Sequence, residues 1–168
     1  STTYYLEKNK IKYSSAYNKD QEFYYTFYDL YTPGNKKIKR LVSIKEKNLK
    51  EYFKRSGNKS RRPIMYPYER TSTQVYKNKF VITFIEGQQV KTLIFDHEGN
   101  LEKKIEYPSL ERIRVTAKDK QRILNGYYEG LNYRNMGLLD LEEYKKQNEL
   151  VFPEYFPRYS KVYIDNDK

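Results

Sequence analysis

Short apolar runs separated by turn residues recur along the chain from residue 22 to residue 107. The first run reads EFYYTFYDLY and covers residues 22–31, and further runs follow between residues 75 and 107. Aromatic and β-branched residues dominate these runs, and such residues fit pleated, half-buried surfaces. The polar breaks contain Gly, Asn and Pro, which supply the backbone angles of tight turns. The pattern therefore predicts antiparallel strands joined by short turns.

Two of these segments, residues 23–44 and residues 90–107, are copies of one hairpin pattern. In both, an apolar run ends in an aromatic residue followed by Asp, then a Gly-Asn turn, then a basic strand. A repeated hairpin favours a modular, mainly all-β architecture such as a β-propeller, in which each unit buries its face against its neighbours. The strands between residues 75 and 107 form a meander of about the size of one propeller blade.

The returning strand of the first copy, residues 37–44, has two candidate faces. Side chains alternate between the faces of a strand, so strict alternation places the even-numbered residues on one face and the odd-numbered residues on the other. Arg40 is then predicted to share a face with Val42 and Ile44. Such mixed faces are expected of a strand that packs between two sheets.

The periodicity changes after Tyr107, and we predict a helical insertion at about residues 111–150. Thr116 and Asp119 have the spacing of a capping box, and apolar residues then recur at helical intervals. We expect a short helix that begins at Ala117 and frays near Gly126 or Gly130, followed by another helical turn or two before residue 148. A further short helix is predicted at residues 48–53.

Charge is the next constraint on function, because 33 Lys and Arg stand against 22 Asp and Glu, a net charge of +11. The basic residues are scattered through the hairpins and are not gathered in one tail or on one helical face. A nucleic-acid partner is therefore disfavoured, and a solvated Lys-rich surface is the preferred interpretation. One dense basic cluster surrounds Gly57, and we interpret it first as a solvated loop and second as an anion-binding patch.

Enzyme chemistry finds little support in the sequence. There is no Cys, which excludes disulfides, thiolate catalysis and Cys-ligated zinc. His97, the only histidine, occurs in a turn, and the nearby carboxylates do not have the spacing of a calcium loop. Neither a nucleophile elbow nor a Gly-rich phosphate loop occurs. We expect a protein that is not an enzyme and that has no metal site and no cofactor.

Tyrosine is the most prominent candidate for binding chemistry, since the chain has 20 Tyr and 8 Phe but no Trp. Tyr offers a large contact area with a polar tip, which suits a sugar or a peptide. The competing interpretation is that these side chains pack against the sheets. The candidate binding residues, with two arginines of the basic cluster, are Tyr127, Tyr128, Tyr133, Tyr155, Phe156, Tyr159, Arg61 and Arg62.

An ordered series of segments in residues 62–168 resembles the six-bladed β-propeller proteins of bacterial cell envelopes, a group similar to the NHL and TolB-like propellers. The segments read RPIMYPYERTSTQVYKNKFVITF, VKTLIFDHEGNLEKKIEYP, VTAKDKQRI and FPEYFPRYSKVYIDNDK. The last turn departs from the pattern, because residues 165–168 read DNDK and not Asp-x-x-Gly. Six blades of roughly 40–50 residues need far more chain than this. The resemblance therefore implies about half of a six-bladed propeller, forming a single domain over residues 1–168.

The resemblance also implies a role. We expect a non-catalytic binding or scaffolding module of the bacterial periplasm or outer membrane, such as a lipoprotein, with a protein or glycan ligand. The remaining blades would come from the same or another chain. The alternatives are a propeller-type hydrolase or lactonase with acidic metal ligands, and a basic nucleic-acid-binding β domain. No run reaches the roughly 18 apolar residues of a membrane span, so no transmembrane segment is expected.

Overall fold

The chain forms two compact units in the computed structural model. Unit one consists of residues 1–48, 70–110 and 159–168, and unit two of residues 49–69 and 111–158. The structure describes residues 2–16, 23–47, 64–65, 70–108, 111–148, 150–159, 162 and 164. The helix predicted at residues 48–53 lies outside these residues.

Unit one contains two antiparallel four-stranded sheets, each a meander with its strands in chain order. Sheet A consists of β1 (Thr3–Tyr5), β2 (Lys10–Ala16), β3 (Phe23–Tyr31) and β4 (Lys37–Lys47). Sheet B consists of β6 (Ser72–Tyr76), β7 (Lys79–Glu86), β8 (Gln89–Phe95) and β9 (Leu101–Glu106). This confirms the mainly all-β fold with antiparallel strands. The described residues do not form a closed ring of blades, and the propeller stays a prediction.

The hairpin turns have the chemistry that the sequence indicated. Asn35, Asn78 and Gly99 all have positive φ, at 66°, 60° and 79°. In the turn before β9, one carboxylate oxygen of Asp96 accepts hydrogen bonds from the backbone amides of Glu98 (2.9 Å) and Asn100 (2.7 Å). Burial acts to raise the pKa of Asp96, but the hydrogen bonds from Asn100 and Glu98 lower it below its usual value. The turn is therefore stabilised by an ionised Asp.

A shared hydrophobic core lies between the inward faces of the two sheets. Sheet A contributes fully buried Ile11 and Leu30, and sheet B contributes fully buried Phe80 and Ile82. Polar contacts join the sheets at the margin of this core, where the Tyr4 hydroxyl lies 2.6 Å from Thr73 Oγ1. Burying these large apolar side chains is the main stabilising contribution to unit one.

A β-bulge in β4 changes the predicted faces of this strand. Tyr28 pairs with Val42, but the next residue, Asp29, pairs with Arg40, so Leu41 is the extra residue. Val42 and Ile44 are buried in the core, whereas Arg40 lies beside Asp29 on the opposite face. The prediction that Arg40 shares a face with Val42 is therefore wrong, because a bulge shifts the alternation by one residue.

Unit two contains a parallel strand pair and two helices. The strands are β5 (Ile64–Met65) and β10 (Leu150–Val151), and the helices are α1 (Ala117–Arg134) and α2 (Leu141–Gln147). The predicted capping box is confirmed, since Thr116 and Asp119 exchange side-chain and backbone hydrogen bonds. Helix α1 continues through Gly126 and Gly130, so the predicted fraying there is wrong. One helical Gly costs about 1 kcal/mol, which is too little to end a well-capped helix.

Candidate functional site

Two predicted aromatic residues of α1, Tyr127 and Tyr128, contact each other and α2. The rings of Tyr127 and Tyr128 meet edge to face, with their centroids 5.6 Å apart. The hydroxyls of Tyr127 and Tyr144 lie 2.9 Å apart, and this bond joins the two helices. Burial and this hydrogen bond raise the pKa of Tyr127 to about 12. Tyr127 therefore has a packing role in unit two.

Tyr155 and Phe156 belong to an extended segment that pairs with residues 113–115. The Phe156 amide donates a hydrogen bond of 2.8 Å to the Ile113 carbonyl. The guanidinium of Arg112 lies 4.5 Å from the centroid of the Tyr155 ring. This cation–π contact gives Tyr155 a cationic neighbour on the surface of unit two.

The remaining predicted residues lie in three further settings. Tyr133, at the end of α1, is 86% exposed. Tyr159 belongs to unit one, where its hydroxyl donates to the backbone carbonyl of Arg70 at 2.5 Å and lies 3.3 Å from that of Thr83. Arg61 and Arg62 lie outside the described residues. The predicted binding site therefore stays a prediction, and its members include side chains with clear structural roles.

A second group of candidate functional side chains lies on the outward face of sheet A, and the sequence pattern did not predict it. Even-numbered residues of β3, such as Tyr28 and Leu30, point into the core, so its odd-numbered residues point outward. The strand pairing places basic residues of β2 and β4 beside them. We name this surface the cationic–aromatic face. It consists of Tyr5, Lys10, Lys12, Phe23, Tyr25, Phe27, Asp29, Tyr31, Lys37, Arg40 and Lys45.

Aromatic rings form a line along β3 on this face. Tyr25 and Phe27 are parallel within 4°, with ring centroids 6.3 Å apart. Tyr25 is 37% exposed, and Tyr5 on the edge strand is 73% exposed. Alternate residues of a strand share a face, which is why FYYTFYDLY produces this line.

Cations from both neighbouring strands lie over these rings. The Arg40 guanidinium is 3.7 Å from the centroid of the Phe27 ring. Lys45 Nζ is 4.1 Å from the Phe23 centroid, and Lys12 Nζ is 4.8 Å from the Tyr31 centroid. Each such contact stabilises an exposed pair by about 0.5–1 kcal/mol and restricts the position of the cation.

Asp29 holds two of the cations in place. Lys37 Nζ lies 2.6 Å from one oxygen of the Asp29 carboxylate, and Arg40 Nε lies 2.8 Å from the other. Burial acts to raise the pKa of Asp29, but the hydrogen bonds from Arg40 and Lys37 lower it below its usual value. The carboxylate is therefore ionised at neutral pH, and it orients Arg40 over Phe27.

The face as a whole is positively charged. Among the strand residues described on this face, Asp29 is the one acid, and it is 4% exposed. The five cations are Lys10, Lys12, Lys37, Arg40 and Lys45. The sequence argument against a nucleic-acid partner depended on scattered basic residues. The fold brings residues from positions 10 to 45 together on one surface.

Within the described residues, no three His, Cys, Asp or Glu side chains are grouped so that they could hold a metal ion. The carbonyl of His97 accepts a hydrogen bond of 2.8 Å from Asn9 Nδ2, so this turn residue helps to join the two sheets. Neither of the helices in the described part of the chain is long and apolar enough to cross a membrane.

The chain was also compared with known proteins. No protein-family model matches it, and neither the curated proteins nor the solved structures contain a match.

Proposed function

We propose that this protein is a non-catalytic binding module that recognises an extended polyanionic ligand on its cationic–aromatic face. The observation that supports this proposal is the charge of that face, which has five cations and one buried carboxylate. Clustered cations on one surface attract polyanions and raise their association rate.

The positions of the cations favour binding over a merely solvated surface. Arg40 is fixed by Asp29 on one side and by the Phe27 ring on the other, 3.7 Å from its guanidinium. Lys12 and Lys45 also rest over rings. Side chains that are already ordered lose less entropy when a ligand binds, so this arrangement increases affinity.

We further propose that sheets A and B are consecutive blade-like units of a half-propeller that is open on the side of sheet A. Two observations support this. Sheets A and B are consecutive four-stranded meanders. Strand β7 has buried residues on both of its faces, among them Phe80, Val81 and Ile82. A further blade on the outward face of sheet A would desolvate Lys12 and Lys45, which is costly for unpaired charges. Membership of the NHL and TolB-like group and a location in the bacterial envelope remain proposals that the resemblance supports.

A charge-matched comparison tests the binding proposal. The face variant combines Lys10→Gln, Lys12→Gln and Lys45→Gln, and the control combines Lys103→Gln, Lys118→Gln and Lys146→Gln on other surfaces. Both lose three charges, so they have the same net charge. The measurement is the affinity for long-chain inorganic polyphosphate over a series of salt concentrations.

We expect the face variant to bind polyphosphate more weakly than the control and to depend less steeply on salt, because fewer ion pairs form. Equal weakening in both variants would mean that only net charge matters, and the proposal would be wrong.

A further inference from the structure

We propose that the polyanion bound by the cationic–aromatic face is single-stranded nucleic acid, with bases stacked on the aromatic line of β3. This inference rests on the proposed function and adds the chemical class of the ligand. It is carried by the combination of parallel rings and flanking cations. Proteins that bind single strands combine these two features, because every base offers a flat π-face and every nucleotide a phosphate.

The ring geometry suits stacked bases. The centroids of the parallel Tyr25 and Phe27 rings are 6.3 Å apart. This is close to twice the spacing of about 3.4 Å between stacked bases along one strand. Outward residues of β3 recur at about 6.6 Å. Rings occupy positions 23, 25, 27 and 31 of this row, and Asp29 lies between Phe27 and Tyr31. From Phe23 to Tyr31, β3 rises by about 26 Å, a length that fits about four nucleotides at that interval.

The cations lie where phosphates would pass. Lys10 and Lys12 on β2 lie along one side of the aromatic line, and Arg40 and Lys45 on β4 lie along the other. A strand stacked on β3 therefore has cationic side chains within reach on either side of its bases. A phosphate that draws Lys45 towards itself also uncovers the Phe23 ring over which Lys45 rests, so binding the backbone frees a stacking surface.

The chemistry of the rings favours bases over sugars. Phe23 and Phe27 lie within the aromatic line and carry no polar group for the hydroxyls of a polysaccharide. Recognition of sugars depends on hydrogen bonds as well as stacking, whereas base stacking requires only a π surface. Double-stranded nucleic acid keeps its bases inside the helix, so they cannot reach these rings.

The test separates ring recognition from charge recognition. Fluorescence anisotropy measures binding of a labelled oligothymidylate of about eight nucleotides, within the site sizes of single-strand binding folds. Polyphosphate and a sulfated polysaccharide are the competing probes. At Tyr25 the variants are Tyr25→Ala and the conservative Tyr25→Phe. A further variant, Tyr5→Ala, removes a ring of the edge strand that is 73% exposed, so this substitution should disturb folding less.

We expect Tyr25→Ala to weaken oligothymidylate binding by about tenfold, the effect of losing one stacked base. Tyr25→Phe should retain the affinity, and both Tyr25 variants should bind polyphosphate as the unaltered protein does. Tyr5→Ala should weaken oligothymidylate binding and leave polyphosphate binding unchanged.

Other results would overturn the inference in distinguishable ways. If neither alanine variant alters oligothymidylate binding relative to polyphosphate binding, the bases do not stack on these rings, and the polyanion proposal stands alone. If the sulfated polysaccharide displaces oligothymidylate, and if Tyr25→Ala weakens binding of the polysaccharide, the ligand is an anionic glycan. If the unaltered protein binds none of the three probes at low salt, the proposed function fails as well.

Discussion

Gly99 offers the sharpest test of how sheets A and B pack. It lies in the turn before β9, it is buried, and its φ is +79°. A Cβ added there would lie 2.8 Å from Leu30 Cδ2, 2.8 Å from Lys39 Cε and 2.9 Å from Leu41 Cδ2. Lys39 is flexible and can move aside. Leu30 is fully buried in the shared core and cannot move without disturbing its neighbours.

The expected cost of Gly99→Ala has two parts. A left-handed backbone conformation costs an L-residue about 1–2 kcal/mol. Overpacking a core costs about 1–3 kcal/mol more. We therefore expect the free energy of unfolding to fall by about 2–5 kcal/mol. Gly87→Ala is the matched control, because Gly87 has φ +61° and its added Cβ would meet nothing within 4 Å. Only the backbone cost, about 1–2 kcal/mol, applies there.

The assay is urea unfolding of both variants, followed by circular dichroism. For a urea dependence of about 2 kcal/mol/M, Gly99→Ala should lower the midpoint by about 1–2.5 M. Gly87→Ala should lower it by only about 0.5–1 M. If Gly99→Ala and Gly87→Ala have equal effects, the turn of Gly99 does not pack on sheet A, and the shared core described above is refuted.

Three further predictions concern stability. Gly126→Ala and Gly130→Ala in α1 should each stabilise unit two by about 1 kcal/mol, because their added Cβ atoms meet nothing within 4 Å; a lower melting temperature of the helical dichroism signal would contradict this. The buried hydroxyls of Thr83 and Thr92 lie 2.7 Å apart. Either single substitution to Val should lower the free energy of unfolding by about 1–3 kcal/mol, because it leaves the other hydroxyl without its partner. In a double-mutant cycle measured by urea unfolding, the double substitution should lower it by less than the sum of the two single effects. The pKa of Asp29 is lower in the folded protein than in the unfolded chain, where it is about 3.9. The ionised Asp29 therefore stabilises the folded protein fully at pH values above about 3.9, and this stabilisation is lost as the pH falls through the pKa of the folded state. Asp29→Asn should therefore destabilise the protein by about 1–2 kcal/mol at neutral pH, and by progressively less in acid, when unfolding is measured across pH; a cost that does not change with pH would count against the ion pairs.

Local signals in the sequence predicted much of the fold. Aromatic runs broken by Gly and Asn predicted the hairpins, because positive φ at Asn35 and Gly99 requires such residues. The spacing of Thr116 and Asp119 predicted the start of α1, since a capping box involves residues only three apart. In these cases the interacting groups are close in sequence, so the pattern alone contains the information.

The cationic–aromatic face was missed because it depends on long-range strand register. The alternation of β3 was visible, but Lys12 becomes a neighbour of Asp29 only through the pairing of β2 with β3. The bulge at Leu41 also turns Arg40 away from the face that strict alternation assigns to it. Aligning the outward residues of all three strands would have revealed the face only if the register and the bulge had been known.

The central claim is that the outward face of sheet A is the binding surface, and an NMR titration tests it most directly. Backbone amide shifts of the labelled protein would be followed while oligothymidylate or polyphosphate is added at low salt. We predict that the largest shifts occur at Lys12, Tyr25 and Arg40 of sheet A. Shifts confined to the aromatic residues of unit two, such as Tyr128 and Tyr155, would contradict the claim and would favour the site predicted from the sequence.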